Sequence, residues 1–395
     1  MNKQDLKVGI ITSADPTDKR SWSGTFFRMS NALKDEFSTV INLGPVRLSK
    51  LDYLIMNLQL IFLSVFHLVI FQKRFNREHN HIKSKYHCRF FDKVIQQNKI
   101  DILFAPSASS QIAYLKTNLP ICHYSDTTLL AIIDYYDYFK KFSKKSIQIS
   151  NKIEQKAINK SKTQVFSSKW ALDSAKQDYG AKKTFLVKMG ANIDTDPQDI
   201  DIIKEYESTI NILFVGVDWK RKGGDIVLDT IDKLDKKGFN VQLIVIGCVP
   251  PQTHPKMKVI PFLNKNDNND MLKFQEFFKK SHLFFMPTRA ECYGIVFCEA
   301  NAYGLPVITT DTGGVSSIIE NGVNGFMLPF EAKSEEYYKV IADLISDDLK
   351  LRRMSETSRK KYLKDLNWKQ WGKQMKEILI QTHAIGNKND HFENL

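Results

Sequence analysis

The chain has 395 residues, 43% of them hydrophobic and 26% charged, with a formal net charge of +13. That length is more than one hydrophobic core serves well, so two domains are expected, and the composition excludes a disordered or low-complexity chain. The five cysteines (Cys88, Cys122, Cys248, Cys292, Cys298) are odd in number and form no C-x-x-C pair, which favours reduced thiols over disulfides or a zinc site. Met1 to Ile11 lacks the apolar stretch of a signal peptide, so a cytoplasmic location is expected. Charge is uneven: residues 1–190 hold 30 Lys and Arg against 15 Asp and Glu, whereas residues 191–395 hold 27 against 29. The positive excess therefore belongs to the first half, with clusters at Lys73–Lys93 and Lys140–Lys162. Such a field attracts an anionic membrane surface, nucleic acid or an anionic substrate, unless it is only a solvated lysine-rich face.

In chain order, Lys7 to Thr12 reads as a first strand, followed by the loop Ser21-Trp22-Ser23-Gly24 and a helix from Thr25 to about Glu36. Tyr53 to Gln72 carries no formal charge and is long enough to span a bilayer, but Asn57, Gln59, Ser64 and His67 make it a poor span. Its basic flank and aromatics fit a helix lying on a membrane, or one buried in the domain or in a partner interface. Asp101–Ala105, Ile121–Tyr124, Gln164–Ser167 and Thr184–Lys188 read as further short strands. A link at Gly190–Asp194 leads into a second set: strands at Ile210–Val215, Val241–Ile246, Val259–Ile260, Leu283–Met286 and Val307–Thr310, with a helix at Asp225–Lys236. Helical patterns run from Ser334, and the polar tail after about Gly386 reads as disordered. Strands alternating with helices predict an α/β protein with parallel sheets covered on both faces.

Two loops carry chemistry. In the first, strand Ile210–Val215 runs into Gly216 and then Lys220-Arg221-Lys222-Gly223-Gly224 at a helix start, where free amides and the helix dipole favour an anion and Lys222 adds a charge. Helix capping by the glycines with surface lysines is the plainer alternative. Gly24, in the first loop, offers backbone approach in the same way but more weakly. In the second, strand Leu283–Met286 leads into Arg289 to Pro306, which holds Glu291 and Glu299 around the glycine turn at Gly294. Carboxylates on a loop and helix that follow a buried strand make a ligand site at the carboxyl edge of an open sheet. Asp134 and Asp137 fall in an aromatic stretch and are expected at the surface; no D-x-D loop suggests a metal site.

These residues resemble the family 4 retaining glycosyltransferases of GT-B architecture. The matching pieces are R-K-G-G at 221–224, E-x7-E from Glu291 to Glu299, the following A-N-A-Y-G-L-P-V-I, D-T-G-G at 311–314 and N-G-V-N-G-F at 321–326. The match is dense from about 210 to 330 and thin elsewhere, at Ser21–Leu33 and at H-Y-S-D-T-T within 101–138. The resemblance implies two Rossmann-like domains with parallel sheets facing across a cleft. Residues 1–190 would form an acceptor-binding, basic, membrane-facing domain, and 191–365 a nucleotide-sugar domain. Residues 366–385 would form a helix crossing back to the first domain, and 386–395 a tail. It implies that Glu299 accepts from ribose hydroxyls and that Glu291 orients the donor sugar. Amides around Gly294, Ile295 and Val296 would hold the diphosphate, while Lys222 with Arg221 would neutralise the leaving nucleotide. Gly24 would close on the diphosphate from the other domain, and His123 or Asp126 would touch the sugar. Val217 stands where many relatives have an arginine or serine, so part of the phosphate clamp is missing or falls to Arg221. The implied activity is transfer from a UDP- or GDP-sugar to a glycan or lipid-linked acceptor, without metal or cofactor, on the inner face of the membrane. A GT-B epimerase or phosphorylase, and a non-catalytic membrane- or nucleic-acid-binding protein, are the alternatives. The last leaves the Glu291–Glu299 loop unexplained, and no nucleic-acid partner is expected.

Overall fold

The computed structural model describes residues 3–204 and 209–390, the last four by backbone alone. The chain divides into two compact units, Met1–Val187 with Gly372–Leu395, and Lys188–Trp371.

The first unit runs β1 (Gln4–Ile10), α1 (Thr25–Glu36), β2 (Phe37–Asn42), α2 (Lys50–Phe71), α3 (His81–Gln96), β3 (Ile102–Pro106) and α4 (Ser109–Ile112). It continues with β4 (Ile121–Ser125), α5 (Leu129–Ile133), α6 (Lys144–Lys160), β5 (Thr163–Phe166), α7 (Lys169–Tyr179) and β6 (Thr184–Leu186). Its sheet has the order β2-β1-β3-β4-β5-β6, every pair parallel. All five residues of β3 and of β4 are buried, as expected of strands covered on both faces. Side-chain caps start the helices: the Ser49 hydroxyl accepts the Asp52 amide at 3.1 Å, and Asn80 Oδ1 accepts the Ile82 and Lys83 amides at 3.0 Å each.

The second unit runs β7 (Ile210–Val215), α8 (Gly224–Lys236), β8 (Val241–Ile246), β9 (Met257–Ile260), α9 (Asn268–Lys280) and β10 (Leu283–Met286). Then follow α10 (Ile295–Ala302), β11 (Val307–Thr310), β12 (Gly325–Leu328), α11 (Ser334–Ile345) and α12 (Asp348–Asp365). This sheet is also wholly parallel, in the order β12-β11-β10-β7-β8-β9. In each sheet the chain starts in the interior and builds outward in both directions. The order therefore reverses between β1 and β3, and again between β7 and β10. Crevices at such reversals, outside the carboxyl ends of the strands, are where open α/β sheets bind ligands.

Three sequence expectations change. The last helix, α13 (Trp368–Asp390), runs through Asp390 rather than ending in a disordered tail at Gly386; residues 391–395 lie outside the described residues. A physical reason is at hand: a Cβ on Gly386 would stand 2.9 Å from Pro120, so the helix is seated closely on its own unit there. Two strands were missed, β2 and β12. The third change concerns α2. Only 17% of its most apolar window is buried, so the reading of plain burial fails. Met56, Leu60 and His67 form one narrow buried stripe, with Leu63 partly buried beside it, and most of the rest of the helix, including Leu54, Phe62 and Val69, is exposed.

Candidate functional site

The parallel pairing of β7 with β10, Leu283 opposite Ile212 and Phe284 opposite Leu213, sets the loops after these two strands side by side. Backbone bonds then lock them together. The Arg289 amide donates to the Arg221 carbonyl at 2.7 Å, and Arg221 Nη1 donates to the Ala290 carbonyl at 2.9 Å. From the next strand, the Gly314 amide donates to the Glu291 carbonyl at 3.2 Å, so the D-T-G-G loop supports the same turn.

The Lys222 stem passes directly over Gly216, where a Cβ would lie 2.9 Å from its Cγ. This close approach directs the ammonium to Glu291, and the two form an ion pair and hydrogen bond. Their side chains are only 11% and 14% exposed, so the pair sits largely out of water at the point where the strand order reverses. Two residues taken from separate motifs thus meet in one contact. Arg221 is tied down otherwise, by Ala290 and, at 3.6 Å, by Asp218, while Val217 is 81% exposed.

Helix α10 begins directly after this loop. Its cap is Gly294 at φ 91°, a left-handed conformation, and a Cβ there would meet the Phe297 ring at 2.4 Å. The first-turn amides, Ile295 and Val296 among them, point out of the helix without intrahelical acceptors, the usual anion-binding end. Glu299 lies one turn on, 1% exposed, with Oε1 3.5 Å from Lys265 Nζ. Lys265 sits in the segment between β9 and α9 and has no motif around it; the sequence reading missed it. The N-G-V-N-G-F stretch is structural: Asn324 Nδ2 donates to Asn301 Oδ1 at 2.8 Å and to the Ile318 carbonyl at 3.1 Å, holding β12 beside α10.

In the first unit, Gly24 caps α1 at φ 93°, preceded by Trp22 at φ 47° and Ser23 at φ 58°. Two successive non-glycine residues in the left-handed region store strain of the kind found at ligand loops. His123 is a mid-strand residue of β4, 1% exposed, and neither ring nitrogen has a hydrogen-bond partner among the described residues. Burial pushes its imidazole down to about 4. Asp126 follows β4 and is half-buried. The cavity at this edge is lined by Ser125, Thr127 and Thr128 from the same segment, with no wall from His123. Asp134 and Asp137 are exposed, as expected.

The model of the family described as glycosyl transferases group 1 matches residues 196–361, which span both loops and α10. That stretch is similar to a group 1 glycosyl transferase domain. The capsular polysaccharide biosynthesis glycosyltransferase CapM of Staphylococcus aureus is 31% identical over 151 residues, covering 35% of this chain and 40% of CapM. An uncharacterised glycosyltransferase, MJ1178, of Methanocaldococcus jannaschii is 30% identical over 162 residues, covering 40% of this chain and 44% of that protein. The chain thus spans less than half the length of these curated relatives. Whole-chain likeness appears in solved structures. Sucrose-phosphate synthase from Thermosynechococcus elongatus superposes with a TM-score of 0.63 at 13% identity, covering 96% of this chain and 100% of that one. WaaG, a glycosyltransferase involved in lipopolysaccharide biosynthesis, gives 0.62 at 14% identity, covering 95% and 99%. The fold is GT-B, each unit a Rossmann-like parallel sheet with helices.

Proposed function

We propose that the chain is a family 4 retaining, metal-independent glycosyltransferase that moves a sugar from a UDP- or GDP-sugar to a glycan or lipid-linked acceptor. The observation that carries this reading is the Lys222–Glu291 pair at the β7/β10 reversal, beside the amino-terminal end of α10. Breaking the anomeric bond to a diphosphate builds negative charge on the leaving group and positive charge on the sugar ring. A diphosphate seated on the α10 amides competes with Glu291 for the Lys222 ammonium. Glu291 is then released toward the sugar hydroxyls. One such preorganised donor contributes on the order of 3 kcal/mol to the transition state. Lys222 takes the part a divalent ion plays elsewhere, and the acceptor attacks from the leaving-group side, retaining configuration. Glu299 holds the ribose diol once Lys265 swings aside.

The names of CapM and WaaG support synthesis of a cell-surface polysaccharide or glycolipid. The exposed apolar face of α2, followed by Lys73, Arg74 and Arg77, supports a peripheral seat on an anionic membrane. The cysteines are free thiols, in keeping with the cytoplasmic side.

Thermal stabilisation by UDP, GDP, ADP and their sugar conjugates in EDTA, beside Glu299→Ala, tests the reading. A nucleotide at about 100 times its dissociation constant adds roughly 2.7 kcal/mol. One nucleotide should win without metal and lose its effect in the variant; no response to any of them removes the nucleotide-sugar reading.

A further inference from the structure

Glu299 is 1% exposed, yet it is the carboxylate that the proposed reaction needs as an acceptor for two hydroxyls. A carboxyl taken out of water goes over to its protonated form unless a positive charge stands beside it. Once protonated, one of its oxygens becomes a donor and acceptor capacity is lost. The ability of Glu299 to hold a diol therefore depends on its neighbours.

The cation beside it is Lys265, whose Nζ stands 3.5 Å from Glu299 Oε1. Lys265 lies between β9 and α9, in a segment tied down on both sides of it. The Asn264 amide donates to Asp270 Oδ2 at 3.0 Å, and Asn264 Oδ1 accepts the Asn266 amide at 3.1 Å. Asp267 then caps α9 by accepting the Asp270 amide at 3.0 Å. The ammonium also lies 5.2 Å from the centre of the ring of Phe274, a buried residue of α9. A cation over an aromatic face is held there by the ring quadrupole, so Phe274 gives the ammonium a seat that uses none of the carboxylate. The contact with Glu299 is itself at the long limit of a hydrogen bond, and a carboxylate has about four lone-pair sites. A small swing over the ring opens Oε1 to a ribose hydroxyl and keeps the charge at hand.

The other groups around Glu299 do not supply that charge. Cys298 precedes it on α10 and Tyr303 follows the helix. Burial pushes the thiol up to about 12 and pushes the phenol up as well, and the Glu299 charge adds to both effects, so both stay neutral. Lys188 and Asp365, beside Cys298, are paired with each other at 2.8 Å. Lys222 is engaged by Glu291.

We propose that Lys265 is a positioning residue for the donor: it keeps Glu299 ionised, and so able to accept both ribose hydroxyls, from a seat on Phe274 that it retains when the nucleotide binds. This rests on the nucleotide-sugar reading and adds to it the residue on which ribose recognition depends.

The test is the pH profile of donor affinity, measured by titration calorimetry on the full chain. The probes are UDP-glucose and GDP-mannose, whose diphosphate diesters carry no group that titrates between about pH 5.5 and 8.5. The wild-type profile should be flat to within about twofold. Lys265→Met keeps the stem on Phe274 and removes the charge. Its affinity should approach wild type at the alkaline end and fall about tenfold or more toward the acid end. The sign follows from the diol being held by the carboxylate, a form that is lost as pH falls through a raised pKa. Lys265→Arg should restore the flat profile. Glu299→Gln should bind weakly at every pH, with or without Lys265→Met, which assigns the acid limb to Glu299 rather than to Glu291. Melting curves at each pH keep loss of fold apart from loss of binding. A Lys265→Met profile parallel to wild type, displaced or not, overturns the proposal, as does an acid limb that survives Glu299→Gln in the Lys265→Met background. If the wild-type chain binds neither conjugate, the nucleotide-sugar reading falls and this role with it. Binding with an unchanged profile overturns the role of Lys265 alone.

Discussion

Replacing Lys222 by methionine keeps the length of the side chain and removes its charge. Glu291 then keeps its place, largely out of water, without the ammonium that compensates it. Breaking a fully buried pair costs about 3–5 kcal/mol; with 11% and 14% of the two side chains still exposed, about 2–3 kcal/mol is expected. In a unit of this size that lowers the melting temperature by about 5–10 °C. Glu291→Leu should cost a similar amount, since it strands the ammonium instead. The double variant Lys222→Met/Glu291→Leu replaces the pair by two apolar side chains and should recover most of the loss, giving a coupling of about 4 kcal/mol in a double-mutant cycle. Turnover should behave differently. Lys222→Met and the double variant should both lose about 10²–10³ in rate, because the stability rescue restores no cation at the leaving group. Calorimetric melting and initial-rate assays of the four proteins decide the matter. Additive losses in melting temperature would show that the two residues are not coupled, and undiminished turnover in Lys222→Met would refute the leaving-group role.

Gly294→Ala should cost about 2–4 kcal/mol and weaken nucleotide binding, since it combines left-handed strain with a methyl 2.4 Å from the Phe297 ring. Gly322→Ala, at φ 77° with nothing within 4 Å of the added carbon, should cost only the strain, about 1 kcal/mol, and equal losses at the two sites would mean that packing at the α10 cap is unimportant. His123 sets a pH dependence: burial holds its imidazole at about 4 against an ordinary value of 6.5, so the unfolded chain binds the proton first as pH falls. Its contribution is full above about 6.5 and is lost toward 4, at most about 3 kcal/mol, and His123→Leu should flatten that part of the urea-midpoint curve between pH 7 and 4.5. His79 and His87 act in the same direction, so a curve wholly unchanged by His123→Leu would assign the acid limb to them.

The second unit is legible in the sequence because parallel strands covered on both faces are runs of apolar residues. Ile210–Val215, Leu283–Met286 and Val307–Thr310 need no alternation to be seen, and each of the first two ends in a loop with its own chemistry. Two strands without that signature were missed. β2 mixes Ser38, Thr39 and Asn42 with apolar residues and follows α1 without a loop, and β12 is a four-residue edge strand opening on glycine. Lys265 escaped for a different reason: its link to Glu299 joins residues 34 apart, and no local pattern announces it.

The first unit marks the limit of composition more sharply. An apolar helix of 22 residues reads the same whether it is buried, exposed or membrane-spanning, since composition records the preference of a surface and not what covers it. Only the neighbouring elements decide, and they bury Met56, Leu60 and His67 and partly cover Leu63 beside them. The cavity at the carboxyl ends of β1, β3 and β4 is equally silent in the sequence, because Ser13, His79, Ser107, Ser125 and Glu154 in its wall come from five separate segments. Parallel register brings them together: β3 lies between β1 and β4, so the residues following all three strands open on one edge. Donor chemistry, built from two loops of adjacent strands, leaves a motif in the chain. A cavity assembled from scattered single residues at a sheet edge leaves none, and so the first unit shows its candidate site only in the fold.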